Sequence, residues 1–245
     1  MKNYNVTQIN GLLSNAKTAM VVVPQLGIDQ ISAALALALT LKKKNIETKV
    51  FCPTKPDANY SKLSGLDLLT DVYNQNDLVI TLDYPLDQIE KVNYNQDNGK
   101  LNLIVETKQG SPKVAENQIN IAHQSGVADI NFIFGEETLL GANSNMVNSG
   151  TWVQISPSNN IRSWAKASLV DQDAPFCEIF TFLLPLLNLE LDPDSAKNLL
   201  IGLRVATQSF SINVSPETFE AGAICLRATQ PMEATNGSQP VQPNQ

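Results

Sequence analysis

The chain is poor in the residues that most often carry chemistry. Among 245 residues there is one histidine, His123, and three cysteines, Cys52, Cys177 and Cys225, with no CxxC pair. One imidazole and three scattered thiols make neither a disulfide framework nor a zinc-ligand set, and a reducing cytoplasm is the simplest expectation for the compartment. Basic residues are scarce as well, since 17 Lys and Arg against 24 Asp and Glu leave a net charge of −7. With no Lys/Arg run to offset that charge, non-specific binding along a nucleic-acid backbone is not expected. Long apolar runs are missing too. The opening MKNYNVTQIN lacks a signal core, and the uncharged run Ile31–Leu41 is shorter than the ~20 residues of a membrane span. These absences predict a soluble protein with no membrane association.

What the chain does have is the grammar of an α/β sheet. Ala19–Val23 is a continuous apolar run rich in valine, the pattern of a strand buried on both faces of a parallel sheet. Pro24 removes a ladder donor and ends it. Ile31–Leu41 is almost entirely Ala and Leu, and Lys42–Lys44 place cations where the helix dipole favours them. The turn between strand and helix, residues 24–29, therefore lies at the carboxyl edge of the sheet, where open α/β sheets hold their ligands.

Further units follow in order. Apolar Val6, Ile9, Leu12 and Leu13 predict a short lead-in helix, and Glu47–Cys52 a second strand. Leu63, Leu66, Leu69 and Tyr73 are spaced for a helix over 60–73, and Leu78–Asp83 (LVITLD) reads as a third strand. Segment 84–126 breaks the alternation. Lys91–Asn95 and Lys100–Glu106 flank Asn98-Gly99, a pair suited to a type I′ turn, which predicts an inserted antiparallel β-hairpin. His123 follows an expected helix and reads as a solvated side chain. Asp129–Phe134 and Trp152–Ile155 resume the short strands. Helices are expected over Pro175–Leu189, Ser195–Val205 and Glu217–Arg227, the last two announced by Asp192-Pro193 and Ser215-Pro216. The predicted architecture is one α/β domain over 1–229, a doubly wound, mainly parallel sheet, with the hairpin insertion at 84–126 and a disordered tail over 230–245.

Three stretches carry a resemblance. Asn198–Arg227, NLLIGLRVATQSFSINVSPETFEAGAICLR, is similar to the block LL-GI-x-DTG-x-F … TPETF … AA-x-L. Gly27–Leu37, GIDQISAALAL, is similar to D-x-D-A-x-G-S-A-L-A-L, and WVQISPSNN, SLVDQDA and CEIFTFLLPLL follow the order of I-DHH-xx-N, LVDP-x-A and AEI-xx-LL. Together they resemble the DHH phosphoesterases, within them the nanoRNase-like oligoribonucleases and pAp phosphatases, over about residues 18–52 and 128–229. The resemblance implies a DHH-type, Rossmann-like sheet. It also implies a two-metal enzyme, usually using manganese, with ions ~3.5–4 Å apart clamping both oxygens of an in-line displacement, and a second, C-terminal domain beyond the part matched here.

Carried over residue by residue, the resemblance argues against that chemistry. The first histidine falls on Pro24 and the first aspartate on Gly27, while the second survives as Asp29. The Asp-His-His triplet falls on Ser156, Pro157 and Ser158, and the aspartate of DTG falls on Ala206. The remaining aspartate falls on Gly135, by spacing to Ser156, or on Asp83, which ends an attractive strand. Either way the set is too small for a di-metal centre, so neither catalytic residues nor a metal or cofactor is expected. The expected module is non-catalytic, binding a nucleotide or small phosphate ester, a protein partner or a second copy of itself; residual phosphoesterase activity is the alternative. A weak ligand cradle would use Gly27, Asp29, Gly135, Ser156, Ser158, Asn159, Thr207 and Ser209. Each has a plainer reading: Asp29 as a helix cap, Thr207, Ser209 and SPSNN as turn residues, and Glu178, where the family also carries a glutamate, as a cap for a neighbouring element.

Overall fold

The computed structural model describes residues 2–73, 77–124 and 128–230, so the expected tail beyond 230 lies outside the described residues. The chain divides into two compact units, Met1–Tyr73 with Val127–Gln245, and Asn74–Gly126.

The first unit is built on a six-stranded sheet. After helix α1 (Thr7–Leu13) come β1 (Thr18–Val22), α2 (Ile28–Lys43), β2 (Glu47–Phe51) and the short β3 (Leu69–Thr70). The chain returns to this unit with β8 (Ile130–Phe134), β9 (Trp152–Ser156) and β10 (Ala167–Val170), and closes with α3 (Phe176–Leu186), α4 (Pro193–Ala206) and α5 (Pro216–Thr229). Strand order is β10-β9-β8-β1-β2-β3, and every pairing is parallel. Successive β1 residues face opposite sides, so Val21 and Val23 join the core under the helices while Val22 joins Phe51, Ile133 and Trp152 on the other side. Helices α2 to α5 cover the first face. Leu140, Met146 and Val147, from the run of 3₁₀ turns Glu137–Asn148, cover the second. The mainly parallel α/β sheet expected from sequence is the sheet observed.

Three local expectations are corrected. Residues 60–73 form no α-helix: 3₁₀ turns at Ala58–Tyr60 and Leu66–Leu68 lead into β3. Gly65 between them has φ +83, a left-handed conformation that interrupts any helix. Ala167–Val170 is an additional strand, its four residues too short to show a pattern. The run LVITLD does form a strand, β4 (Asp77–Leu82), but it belongs to the second unit and pairs antiparallel with β7 (Ile119–Gln124). The insertion thus begins before this strand, and His123 lies in β7, not after a helix.

In the second unit, β5 (Ile89–Asp97) and β6 (Lys100–Thr107) form the antiparallel hairpin. Its turn residues Asn98 and Gly99 have φ 50 and φ 72, the positive angles a type I′ turn requires.

Candidate functional site at the carboxyl edge

In the first unit the chain runs outward from β1 through β2 to β3, then restarts beside β1 at β8 and runs the other way. That reversal is the topological switch point of an open parallel sheet, and the crevice outside the carboxyl ends of β1 and β8 is where such folds take ligands. Gly27 and Asp29 follow β1, Gly135 follows β8, and Ser156 ends β9, so four expected site residues come to neighbouring strand ends. Asp83 follows β4, a strand of the second unit.

Ser158 and Asn159 follow Ser156 directly, and helix α4 brings Thr207 and Ser209 to the same end. Lys43, at the end of α2, pairs with the α4 N-cap Asp192 at 3.1 Å, while Gly202 on α4 lies against Ser32 near the start of α2. The two helices are therefore antiparallel, and the turn holding Thr207 and Ser209 reaches the carboxyl edge. This turn is conformationally demanding, with Gln208, Ser209 and Phe210 all at positive φ. It is held by the buried Thr207 hydroxyl, which donates to Leu203 O at 2.7 Å and accepts Phe210 N–H at 3.0 Å.

Asp29 carries the clearest relationship in the site. Its carboxylate accepts Phe176 N–H at 2.7 Å and Cys177 N–H at 2.9 Å, capping the first turn of α3. The Cys177 thiol also donates to the Asp29 carbonyl at 3.3 Å. Burial raises the Asp29 carboxyl above its ordinary value, against these donors. Burial also raises the Cys177 thiol well above its usual value and pushes Cys225 up to about 11, so both thiols are protonated and neither is poised as a nucleophile.

At β8 and β9 the edge is closed by side chains that sequence reading did not single out. Gln154 donates to Gly135 O at 3.1 Å and to Asn160 O at 2.9 Å, and accepts Arg162 N–H at 3.0 Å. Asn160 and Arg162 each donate to Glu136 at 2.7 Å, and Arg162 Nε stands 3.2 Å from Glu137. The available signal was Gln154 itself, a polar residue inside the apolar strand WVQI that had to find buried partners. Gly135 leaves its strand at φ +94, a conformation costly for a residue with a Cβ. Ser156 is buried; its Oγ accepts Ser158 N–H and lies 3.1 Å from Ser158 Oγ, while Ser158 and Asn159 are exposed.

Beyond β10 an acidic cleft of about 630 Å³ is lined in part by Lys2, Asp173, Glu178, Ser215 and Glu217. Lys2 bridges Asp171 and Glu178 at 2.6 Å each, Tyr4 donates to Asp171 at 2.6 Å, and Thr218 of α5 donates to Glu178 at 2.6 Å. Glu178 thus ties α3 to α5 and to the N-terminal segment, the structural use open to it from sequence. The roles of Lys2 and Tyr4 had no local signal.

Among the described residues no three His, Cys, Asp or Glu side chains converge on a point that could hold a metal ion. No described helix is long and apolar enough to cross a membrane.

Fold and edge together define an open, doubly wound parallel α/β domain with its switch point between β1 and β8. The fold is similar to that of an exopolyphosphatase-related protein from Bacteroides fragilis, with a TM-score of 0.65 at 12% sequence identity. The match covers 92% of this chain and 57% of that one, so the chain spans little more than half of its structural neighbour. The sequence matches no protein-family profile and no curated protein.

Proposed function

We propose that the chain is a catalytically degenerate, DHH phosphoesterase-like domain that works as a non-catalytic interaction module. The observation that carries this reading is the commitment of Asp29. The resemblance makes it a surviving ligand position of a two-metal centre, joined by Asp83 on the alternative register, and both Asp29 oxygens are engaged by the first turn of α3. The other positions support the same reading. Pro24, Gly27 and Ala206 offer no side-chain donor, Ser156 is bonded to Ser158, and Gly135 is held by Gln154 and Ile155. This donor set does not fit two hard divalent cations, which need several anionic oxygens or imidazoles. Calorimetric titration with manganese and a product-release assay on a dinucleotide test it: no saturable heat and no turnover above background are expected.

One observation favours a second reading, a weak phosphate-ester site. Helix α2 starts at the carboxyl edge without a side-chain cap on its N-terminus, and first-turn N–H groups with a positive dipole end attract anions. Gly27, Ser158, Asn159 and Ser209 would complete such a cradle without metal. Amide shifts on titration with AMP and pAp test it: perturbations near Gly27 and Ser158 at millimolar ligand support the site, and none leaves the protein-interaction reading.

A further inference from the structure

The hairpin of the second unit is exposed to a degree that isolated hairpins do not sustain. Cross-strand partners share a face, so Val92 with Val105, Tyr94 with Leu103 and Gln96 with Leu101 form one side. On it Val92, Tyr94, Leu101 and Leu103 are 61, 72, 62 and 52% exposed. Among the described residues β5 and β6 pair only with each other, leaving an open backbone edge on each strand. A two-stranded ribbon is marginal in water, and three or more strands with an apolar face are needed for stability.

The sequence of β6 says what fits that edge. KLNLIVE, residues 100–106, is self-complementary about Leu103. Set antiparallel to its own copy with Leu103 opposite Leu103, it places Leu101 opposite Val105, Asn102 opposite Ile104 and Lys100 opposite Glu106, each twice by symmetry. Antiparallel partners lie on the same face, so the apolar pairs extend the Val92–Tyr94 side and the opposite charges meet on the other. The outer edge of β5 has a similar centre at Tyr94, with Lys91 opposite Asp97, but it would bring Asn93 to Asn95 and Val92 to Gln96, a largely polar seam.

We propose that this hairpin joins two copies of the chain by pairing β6 with its two-fold mate, centred on Leu103, into a four-stranded antiparallel sheet. The inference rests on the second unit alone and does not depend on the reading of the carboxyl edge.

The test uses the full chain. Sedimentation equilibrium is expected to show a concentration-dependent dimer. Lys100→Glu sets like charges opposite Glu106 at both ends, raising the dissociation constant on the order of tenfold. Adding Glu106→Lys to it restores opposite charges across the two-fold and recovers part of the loss, although the two changes set like charges against Asp97 and Lys91 within each hairpin; a merely structural role would give a further loss instead. Under mild oxidation Leu103→Cys is expected to cross-link as a dimer, since facing Cα atoms in an antiparallel pair stand about 4.5–5.5 Å apart, within the range a disulfide spans, and the native cysteines are all buried. A chain monomeric at millimolar concentration, a dimer indifferent to Lys100→Glu, or cross-linking through Tyr94→Cys in preference to Leu103→Cys would each overturn the proposal.

Discussion

Asp29 and Cys177, 148 residues apart in sequence, are joined twice: the Cys177 N–H donates to the Asp29 carboxylate at 2.9 Å and its thiol to the Asp29 carbonyl at 3.3 Å. Helix α2 and helix α3 are thereby locked at the carboxyl edge, and both oxygens of the Asp29 carboxylate are taken up by the first turn of α3.

The first prediction concerns the Asp29 cap. Asp29→Ala leaves two first-turn N–H groups without their partner, and is expected to lower unfolding free energy by about 1–2 kcal/mol in a denaturant titration. Asp29→Asn keeps one acceptor oxygen but turns its amide NH2 towards the second N–H, so it is expected to lose stability as well. A pure catalytic acid would give the opposite pattern, with alanine neutral or stabilising.

The second concerns acid stability through Asp192. Desolvation pushes its carboxyl upward, but the bonds from Ser195 and the Lys43 ammonium outweigh this and leave it below the ordinary value. A depressed folded value means that the stabilisation is complete above the unfolded carboxylate pKa of about 3.9 and is lost as pH falls through the folded one. The stability advantage of wild type over Asp192→Asn is expected to hold near neutrality and to shrink below about pH 4. An advantage that grows on acidification would contradict the assignment.

A third tests the packing that holds α4 in place. A Cβ on Gly202 would stand inside contact distance of Cys177 Sγ and Ser32 Cβ, two groups fixed on neighbouring helices. Gly202→Ala gains about 1 kcal/mol of helix propensity but overpacks a three-helix junction at a cost of about 1–3 kcal/mol. Thermal denaturation should show a net loss, partly relieved by Cys177→Ala in the same chain.

The parts of the fold that were legible in the sequence are the local ones. The valines of β1 and the Ala/Leu run of α2 signal their own structure, and Asn98-Gly99 specifies its hairpin turn. Sheet membership is not local. LVITLD has a strand's composition whichever partner it takes, and nothing in its six residues directs it to β7 instead of β2. The leucines at 63, 66 and 69 carry helical spacing, but Gly65 at positive φ breaks the periodicity that the spacing implies. At the site, the strand ends bearing Gly27, Asp29, Gly135 and Ser156 could be placed from order along the chain. The capping of α3 by Asp29 and the Gln154–Arg162–Glu136 network could not, because each joins groups brought together only by the folded sheet.

The most direct test of the central claim is calorimetric titration of the purified chain with manganese, read beside dinucleotide hydrolysis in the same buffer. The expected result is no saturable binding and no turnover above the uncatalysed rate, in wild type and Asp29→Asn alike. Stoichiometric binding of two ions, with hydrolysis abolished by Asp29→Asn, would contradict it.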